Sequence, residues 1–136
     1  MLLLYSGGLD TSCMLKWLQD TYGCEVYTLT LDVGQTGAHL TEAKEKALQL
    51  GAKRAFVQDV RDEFAREYIA KAIKANGLYQ GQYPLSTAIA RPLMSKVAVD
   101  YANEYNVDAI AHGSTGKGND QVRFEASIQA IDSSVK

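Results

Sequence analysis

The sequence is poor in several residue types that would direct a reading elsewhere. Its 136 residues include only two cysteines, two histidines, two prolines and one tryptophan. Cys13 and Cys24 form no CxxC pair and no metal-ligand spacing, so neither a redox motif nor a zinc site is indicated. Cys13 falls in a helical pattern and is expected in the core, and a reducing cytoplasm is the default setting. An excess of one charge is also missing. Fourteen Lys and Arg stand against sixteen Asp and Glu, a formal net charge of −2. That is not the basic footprint of a nucleic-acid coat, and no nucleic-acid partner is expected. No apolar run nears the roughly 18 residues of a membrane helix. The apolar start, Met1–Tyr5, is too short for a signal peptide and has no basic lead. What is there is a chain of single-domain length, 46% hydrophobic and 22% charged. Such a chain buries about two-thirds of its unfolded surface, enough for a real core.

Strand and helix patterns alternate along it. Leu2–Tyr5 reads as a short buried strand. Leu9, Cys13 and Trp17, with Met14 and Leu18, have the spacing of a helix that Gly23 ends. Glu25–Leu31 is a second strand, and Asp32–Ala38, with Gly34 and Gly37, a loop. Leu40, Ala43, Ala47 and Leu50 line a helix stopped by Gly51, and Arg54–Gln58 is a third strand. Phe64, Tyr68 and Ala72 mark the next helix, followed by a loop over Leu78–Ser86. Leu93, Val97 and Tyr101 mark another, with Pro92 expected in its first turn. Asp108–His112 is a fourth strand, and Asp120 to about Ala130 the last helix. Short apolar strands between helices predict an α/β fold, a doubly wound parallel sheet with helices on both faces. The chain stops at Lys136 after a helix, where a doubly wound sheet is expected to continue.

Two glycine-rich loops carry the chemistry. The first, Ser6–Ser12 (SGGLDTS), joins a strand to a helix. Gly7 and Gly8 let a phosphate approach the backbone. The amides opening the helix have no intrahelical acceptor and carry the positive end of the dipole. Ser6, Thr11 and Ser12 add hydroxyls, so the loop is expected to hold the phosphates of ATP. It is not a Walker A loop, because no Lys follows the glycines before Lys16. Asp10 reads either as a helix cap or as a carboxylate near Mg²⁺, which binds through few carboxylates plus phosphate oxygens. The second loop, His112–Asp120 (HGSTGKGND), has three glycines and one Lys and also leads into a helix. Ligands of open α/β sheets sit at strand carboxyl ends where the winding reverses. If the fourth strand neighbours the first on the side away from the second, both loops flank one crevice.

These residues resemble a known family. YSGGLDTS (Tyr5–Ser12), DVGQ (Asp32–Gln35), EKALQLGAK (Glu45–Lys53), AIARP (Ala88–Pro92) and above all HGSTGKGNDQVRFE (His112–Glu125) resemble argininosuccinate synthase. SGGLDTS alone is similar only to the wider superfamily of ATP pyrophosphatases with a PP-loop, the adenine nucleotide alpha hydrolase-like fold. The resemblance implies an ATP-dependent ligase. ATP adenylates the ureido oxygen of citrulline with loss of pyrophosphate, and the aspartate amine then displaces AMP. Mg²⁺ accompanies the ATP. It implies ATP contacts at Tyr5, Ser6, Gly7, Gly8, Leu9, Asp10, Thr11, Ser12, the backbone around Leu31, and Gly113. It implies citrulline contacts at Tyr83, Thr87, Asn119 and Arg123, and aspartate contacts at Thr115, Asn119 and Asp120. No protein-bound metal site is implied. Arg123 suits a carboxylate as a bidentate partner, Thr115 and Asn119 suit a second carboxylate, and Asp120 an α-ammonium. Asp10, Lys117 and Asp120 are the residues expected closest to the catalytic step, by positioning and charge. Arg91 either orients substrate or pairs with a carboxylate such as Glu125. His112 either donates to ligand or packs against its loop.

The sequence also departs from the family. The family's synthetase domain, which supplies further citrulline contacts, is expected to be absent, and residues 1–136 are expected to form a single ATP-binding domain, inactive alone. Leu31 stands where a small residue near adenine is usual, Ser114 where Ala is usual, and Thr36–His39 is rearranged. The alternative reading is a free-standing ATP- or AMP-binding module without synthase activity. A PP-loop enzyme acting on tRNA is disfavoured by the acidic balance. The expected partner is a second copy in a homodimer or a separate synthetase-domain protein.

Overall fold

The computed structural model describes residues 1–35 and 39–136. Four strands form one parallel sheet: β1 (Leu2–Leu4), β2 (Tyr27–Asp32), β3 (Arg54–Asp59) and, after the hairpin strands β4 (Leu78–Tyr79) and β5 (Tyr83–Pro84), β6 (Ile110–Ala111). Their order is β3-β2-β1-β6. The chain winds outward from β1 to β3 and then returns to the other side of β1. The reversal therefore lies between β1 and β6, which pair with Leu2 opposite Ile110 and Leu3 opposite Ala111. At the outer side of β6, the Lys136 N–H donates to Asp108 O and the Ile110 N–H to Lys136 O.

Alternation along the strands builds a core on each face. Leu2, Leu4, Leu29 and Leu31 point to one side. They meet the Phe64 side chain and helix α5 (Ser86–Glu104) through Ala90, Leu93 and Val97. Leu3 and Tyr5 point to the other, against helix α1 (Leu9–Tyr22) through Leu15 and Leu18 and helix α2 (Leu40–Gln49) through Ala43 and Ala47. Helices thus cover both faces. The last helix, α6 (Asn119–Ile131), lays Phe124 on the α5 side.

Several expectations are corrected. The α1 helix forms, but its Leu9, Cys13 and Trp17 stripe faces water, with Leu9 75% exposed. Cys13 is not a core residue. Burial falls instead on Leu15 and Leu18, which sit over β1. Pro92 is not in a first turn. Helix α5 begins at Ser86, so Pro92 lies inside it, where it cannot donate to the Ala88 carbonyl. The loop over 78–86 contains a small antiparallel hairpin, Tyr79 opposite Tyr83. Between α3 (Arg61–Glu63) and α4 (Ala70–Lys74) the helix widens into a π-helical stretch, Phe64–Ile69. The rearranged segment Thr36–His39 falls, except for His39, outside the described residues.

Leu93 is fully buried between α5 and the sheet. Leu93→Ala is expected to lower the unfolding free energy by about 2–5 kcal/mol through lost transfer energy and a cavity. The check is the urea midpoint at unchanged slope, and a loss below ~1 kcal/mol would contradict this packing.

Candidate functional site

The ends of β1 and β6 open into a crevice of about 1480 Å³ lined by both glycine-rich loops. The first loop turns sharply at Gly7, whose φ of +80° is left-handed. A Cβ there would stand 2.8 Å from Ala43 Cβ, so α2 packs directly on the loop. Gly7 is therefore required by both conformation and space. Gly8 is the N-cap of α1 and has an extended backbone with no side-chain cap. Asp10 is consequently not the cap; it sits in the first helical turn, exposed and lining the crevice. The first amides of α1 point toward the loop without intrahelical acceptors.

Hydroxyls stiffen this turn. The Ser6 and Thr11 hydroxyls lie 3.1 Å apart, and the Gly8 N–H reaches Ser6 Oγ at 3.3 Å. Ser12 Oγ donates to the Gly8 carbonyl at 2.7 Å, and the buried Tyr5 hydroxyl lies 2.9 Å from Ser12 Oγ. Ser12 is thus spent on holding the loop and does not line the crevice. The Leu9 side chain is turned to solvent, away from the crevice lining.

The second loop touches the first. A Cβ on Gly113 would lie 3.3 Å from Thr11 Cγ2 and 3.5 Å from Met14 Sδ. The loop ends at Gly118, the N-cap of α6, again with no side-chain cap. A Cβ there would fall 2.8 Å from the Thr115 carbonyl. Two helix N-termini, those of α1 and α6, therefore open onto one crevice, an arrangement that favours anions. Lys117 takes a left-handed φ of +66°. It is exposed and outside the crevice lining, while Thr115, Gly118, Asn119 and Asp120 are within it.

A charged cluster closes one wall. Asp120 accepts from Arg91 Nη2 at 2.7 Å on one oxygen and from Arg123 Nη1 at 2.8 Å on the other. The Arg91 hydrogen bond, outweighing partial desolvation and helped by Arg123, holds the Asp120 carboxyl below the usual carboxylate range. Arg91 lies over the Phe124 ring at 5.3 Å, and its Nε is buried without a hydrogen-bond partner among the described residues. Its carboxylate is therefore Asp120; Glu125 instead accepts from Gln121 at 2.6 Å. His112 stacks on Phe124 with centroids 4.9 Å apart, and the Ser114 N–H donates to its Nδ1 at 3.3 Å. That bond puts the neutral ring's proton on Nε2. Burial pushes the imidazole below its ordinary 6.5, against an opposing effect of Glu125.

On the far side, Leu31 is buried with Leu4 and Phe64 and lines the crevice. The Gln35 side chain donates to the Leu31 carbonyl at 3.0 Å and accepts from the Val33 N–H at 2.9 Å. The DVGQ turn is thereby fixed beside the strand end. Thr87 reaches the crevice from the start of α5. Tyr83 does not line it; the residue is 59% exposed on the hairpin.

The fold thus brings together Tyr5, Ser6, Gly7, Gly8, Asp10, Thr11, Leu31, Thr87, Gly113, Thr115, Asn119, Asp120 and Arg123. It leaves Leu9, Ser12, Tyr83 and Lys117 off the lining. Lys46 and Phe64 are among the lining residues that escaped the sequence reading. Lys46, on α2, donates to the Gly7 carbonyl at 3.0 Å; it falls within the EKALQLGAK run, but nothing in that run sets it apart as a ligand-facing residue. Phe64 enters at the head of the π-helical stretch, where an amphipathic pattern placed it simply in the core.

Comparison with known proteins fits this geometry. Residues 1–136 match the family described as the Arginosuccinate synthase N-terminal HUP domain. An argininosuccinate synthase of Picrophilus torridus is 61% identical over 135 residues, 99% of this chain and 33% of that protein. One from Dehalococcoides mccartyi is 60% identical over 131 residues, 96% of this chain and 32% of that protein. One from Thermoplasma volcanium is 57% identical over all of this chain and 34% of its own length. The chain spans about a third of the length of the curated relatives it matches. Among solved structures, an NAD+ synthetase from Burkholderia pseudomallei superposes with a TM-score of 0.48 at 15% identity, over 98% of this chain and 61% of that one.

The His112 environment generates a pH prediction. The folded pKa is depressed, so the stabilising neutral state is fully present above the unfolded value near 6.5. As pH falls below that value, the unfolded chain binds a proton the folded chain resists, and stability declines until the folded pKa is passed. Chemical denaturation between pH 7.5 and 5 is expected to show this decline, and His112→Gln to flatten it. The Asp120 contribution does not interfere, because its window lies below 3.8. Equal slopes in the two proteins would contradict the burial of a neutral ring.

Proposed function

The chain belongs to the argininosuccinate synthase family, and from that premise we propose that its crevice binds ATP for the adenylation of citrulline. The observation that carries this reading is the contact of the two loops, Gly113 against Thr11, which joins two helix N-termini into one anion site. Tyr5 through Ser12, the backbone at Leu31, and Gly113 form the nucleotide site. Ser6, Gly7, Gly8 and Thr11 face the phosphates, while Leu9 and Ser12 serve through backbone and loop support. Asn119 and Arg123, with Thr87, receive citrulline. Thr115, Asn119 and Asp120 receive aspartate. Arg123 spends Nη1 on Asp120 and keeps its other donors for a carboxylate. Tyr83 joins the citrulline site only if the hairpin moves toward the crevice.

No group of three or more His, Cys, Asp and Glu suited to a metal occurs among the described residues. Mg²⁺ is commonly bound through one or two carboxylates and phosphate oxygens. Asp10 is the residue that would hold it, and bound there Mg²⁺ would neutralise phosphate charge. The chain's own part is positioning. The loop amides orient the polyphosphate, and the charged wall sets the ureido oxygen and the amine in line. Lys117, on a strained backbone, stands at the rim as a further cation for the departing pyrophosphate. In sequence, citrulline oxygen attacks the α-phosphorus, the bond to pyrophosphate breaks, and the aspartate amine then expels AMP. Among the described residues no helix is long and apolar enough to cross a membrane, and the proposed setting is the cytoplasm.

A binding-only reading is favoured by one observation: Tyr83 stands outside the crevice. Isotope exchange separates the two. The 136-residue chain is expected to bind ATP but to show little citrulline-dependent exchange of labelled pyrophosphate into ATP. Exchange is expected to appear when the remaining two-thirds of a relative is supplied. ATP binding without exchange under either condition would defeat the synthase reading for this chain.

A further inference from the structure

A loop that handles polyphosphate without a lysine of its own leaves negative charge to be met from elsewhere. In Walker loops a Lys inside the motif reaches the β- and γ-phosphates. SGGLDTS holds none. Lys16, the first basic residue after it, pairs on the surface with Asp20 at 2.6 Å. Two carboxylates, Asp10 and Glu42, line the same end of the crevice and add to the repulsion.

We infer that Lys46 is the missing cation, a phosphate-directing residue supplied by α2 rather than by the loop. This rests on the ATP-binding reading above and adds a residue and a role to it. The placement follows from packing. Ala43 and Ala47 are buried, which lets α2 lie against the loop at Gly7. Lys46, three residues on from Ala43, falls on the adjoining face. Its ammonium donates to the Gly7 carbonyl at 3.0 Å and lines the crevice. A lysine ammonium has three donors, so two remain for phosphate oxygens.

The same contact orients the loop. A trans peptide sets its C=O and N–H antiparallel. Drawing the Gly7 carbonyl toward α2 therefore turns the Gly8 N–H the other way, to Ser6 Oγ at 3.3 Å. A residue that merely propped this peptide would affect every nucleotide alike. A cation directed at the outer phosphates discriminates between ATP and AMP, and that difference is the test.

The experiment measures binding of ATP, AMP and inorganic pyrophosphate to the 136-residue chain by calorimetry or equilibrium dialysis. The variants are Lys46→Met, Lys46→Gln and Lys46→Arg, each with a thermal melt. Loss of a charge-assisted contact is expected to weaken ATP and pyrophosphate roughly tenfold to a hundredfold in Lys46→Met and Lys46→Gln. AMP is expected to stay within about twofold of wild type, and Lys46→Arg to recover most of the ATP affinity. An equal loss for ATP and AMP in the Met and Gln variants, or no loss for ATP, would overturn the inference while leaving the ATP-binding reading intact. A wild-type chain that binds no ATP would overturn both. Lys46 is exposed, and exposed substitutions seldom unfold a domain. Should one variant melt early, the ATP-to-AMP ratio in the other decides.

Discussion

The parallel pairing of β1 with β6, Leu2 with Ile110 and Leu3 with Ala111, is the constraint on which the site depends. It brings together segments more than a hundred residues apart in the chain. Because both strands run the same way, their following loops emerge at the same edge. Without that adjacency each loop would be an ordinary strand-to-helix turn. With it, Gly113 meets Thr11 and two helix N-termini share one crevice. Glycine matters at few of these positions. Gly7 is demanded by a left-handed φ and by Ala43, and Gly118 by the Thr115 carbonyl.

Electrostatics divide the crevice into two ends. Around the first loop, positive charge comes from the free amides at the start of α1 and from Lys46, whose ammonium lines the crevice. Around the second, Arg91 and Arg123 converge on Asp120. That carboxylate keeps two guanidinium groups in place on a partly buried wall. One acid between two bases also leaves the wall net positive. His112 contributes by packing: stacked on Phe124 and accepting from Ser114 N–H, it fixes the turn from β6 into its loop.

Much of this was legible in the sequence. The sheet, its helices on both faces and the two glycine-rich loops that flank one crevice follow from hydrophobic periodicity and from glycines placed between strand and helix. The turn built by the glycine and hydroxyl residues of SGGLDTS is legible because its geometry is local. What stayed hidden depends on distance in the chain. Whether Arg91 orients substrate or pairs with a carboxylate such as Glu125 could not be decided, because the partner the fold supplies, Asp120, lies 29 residues away in the chain. Lys46 looks like any solvated helix lysine until α2 is seen against Gly7. Periodicity found α1 but misjudged Cys13, since a helix packed on one face of the sheet with its other side in water buries only a narrow stripe, here Leu15 and Leu18. The hairpin was missed because two-residue strands carry no alternation to read.

The central claim is that the two loops form one nucleotide site. Backbone amide chemical shifts followed during titration with ATP test it most directly. The account predicts that Gly7, Gly8, Leu9, Asp10 and Thr11 shift together with Gly113 and Ser114, along a single binding curve. Shifts confined to one loop, or two loops responding with different affinities, would contradict it.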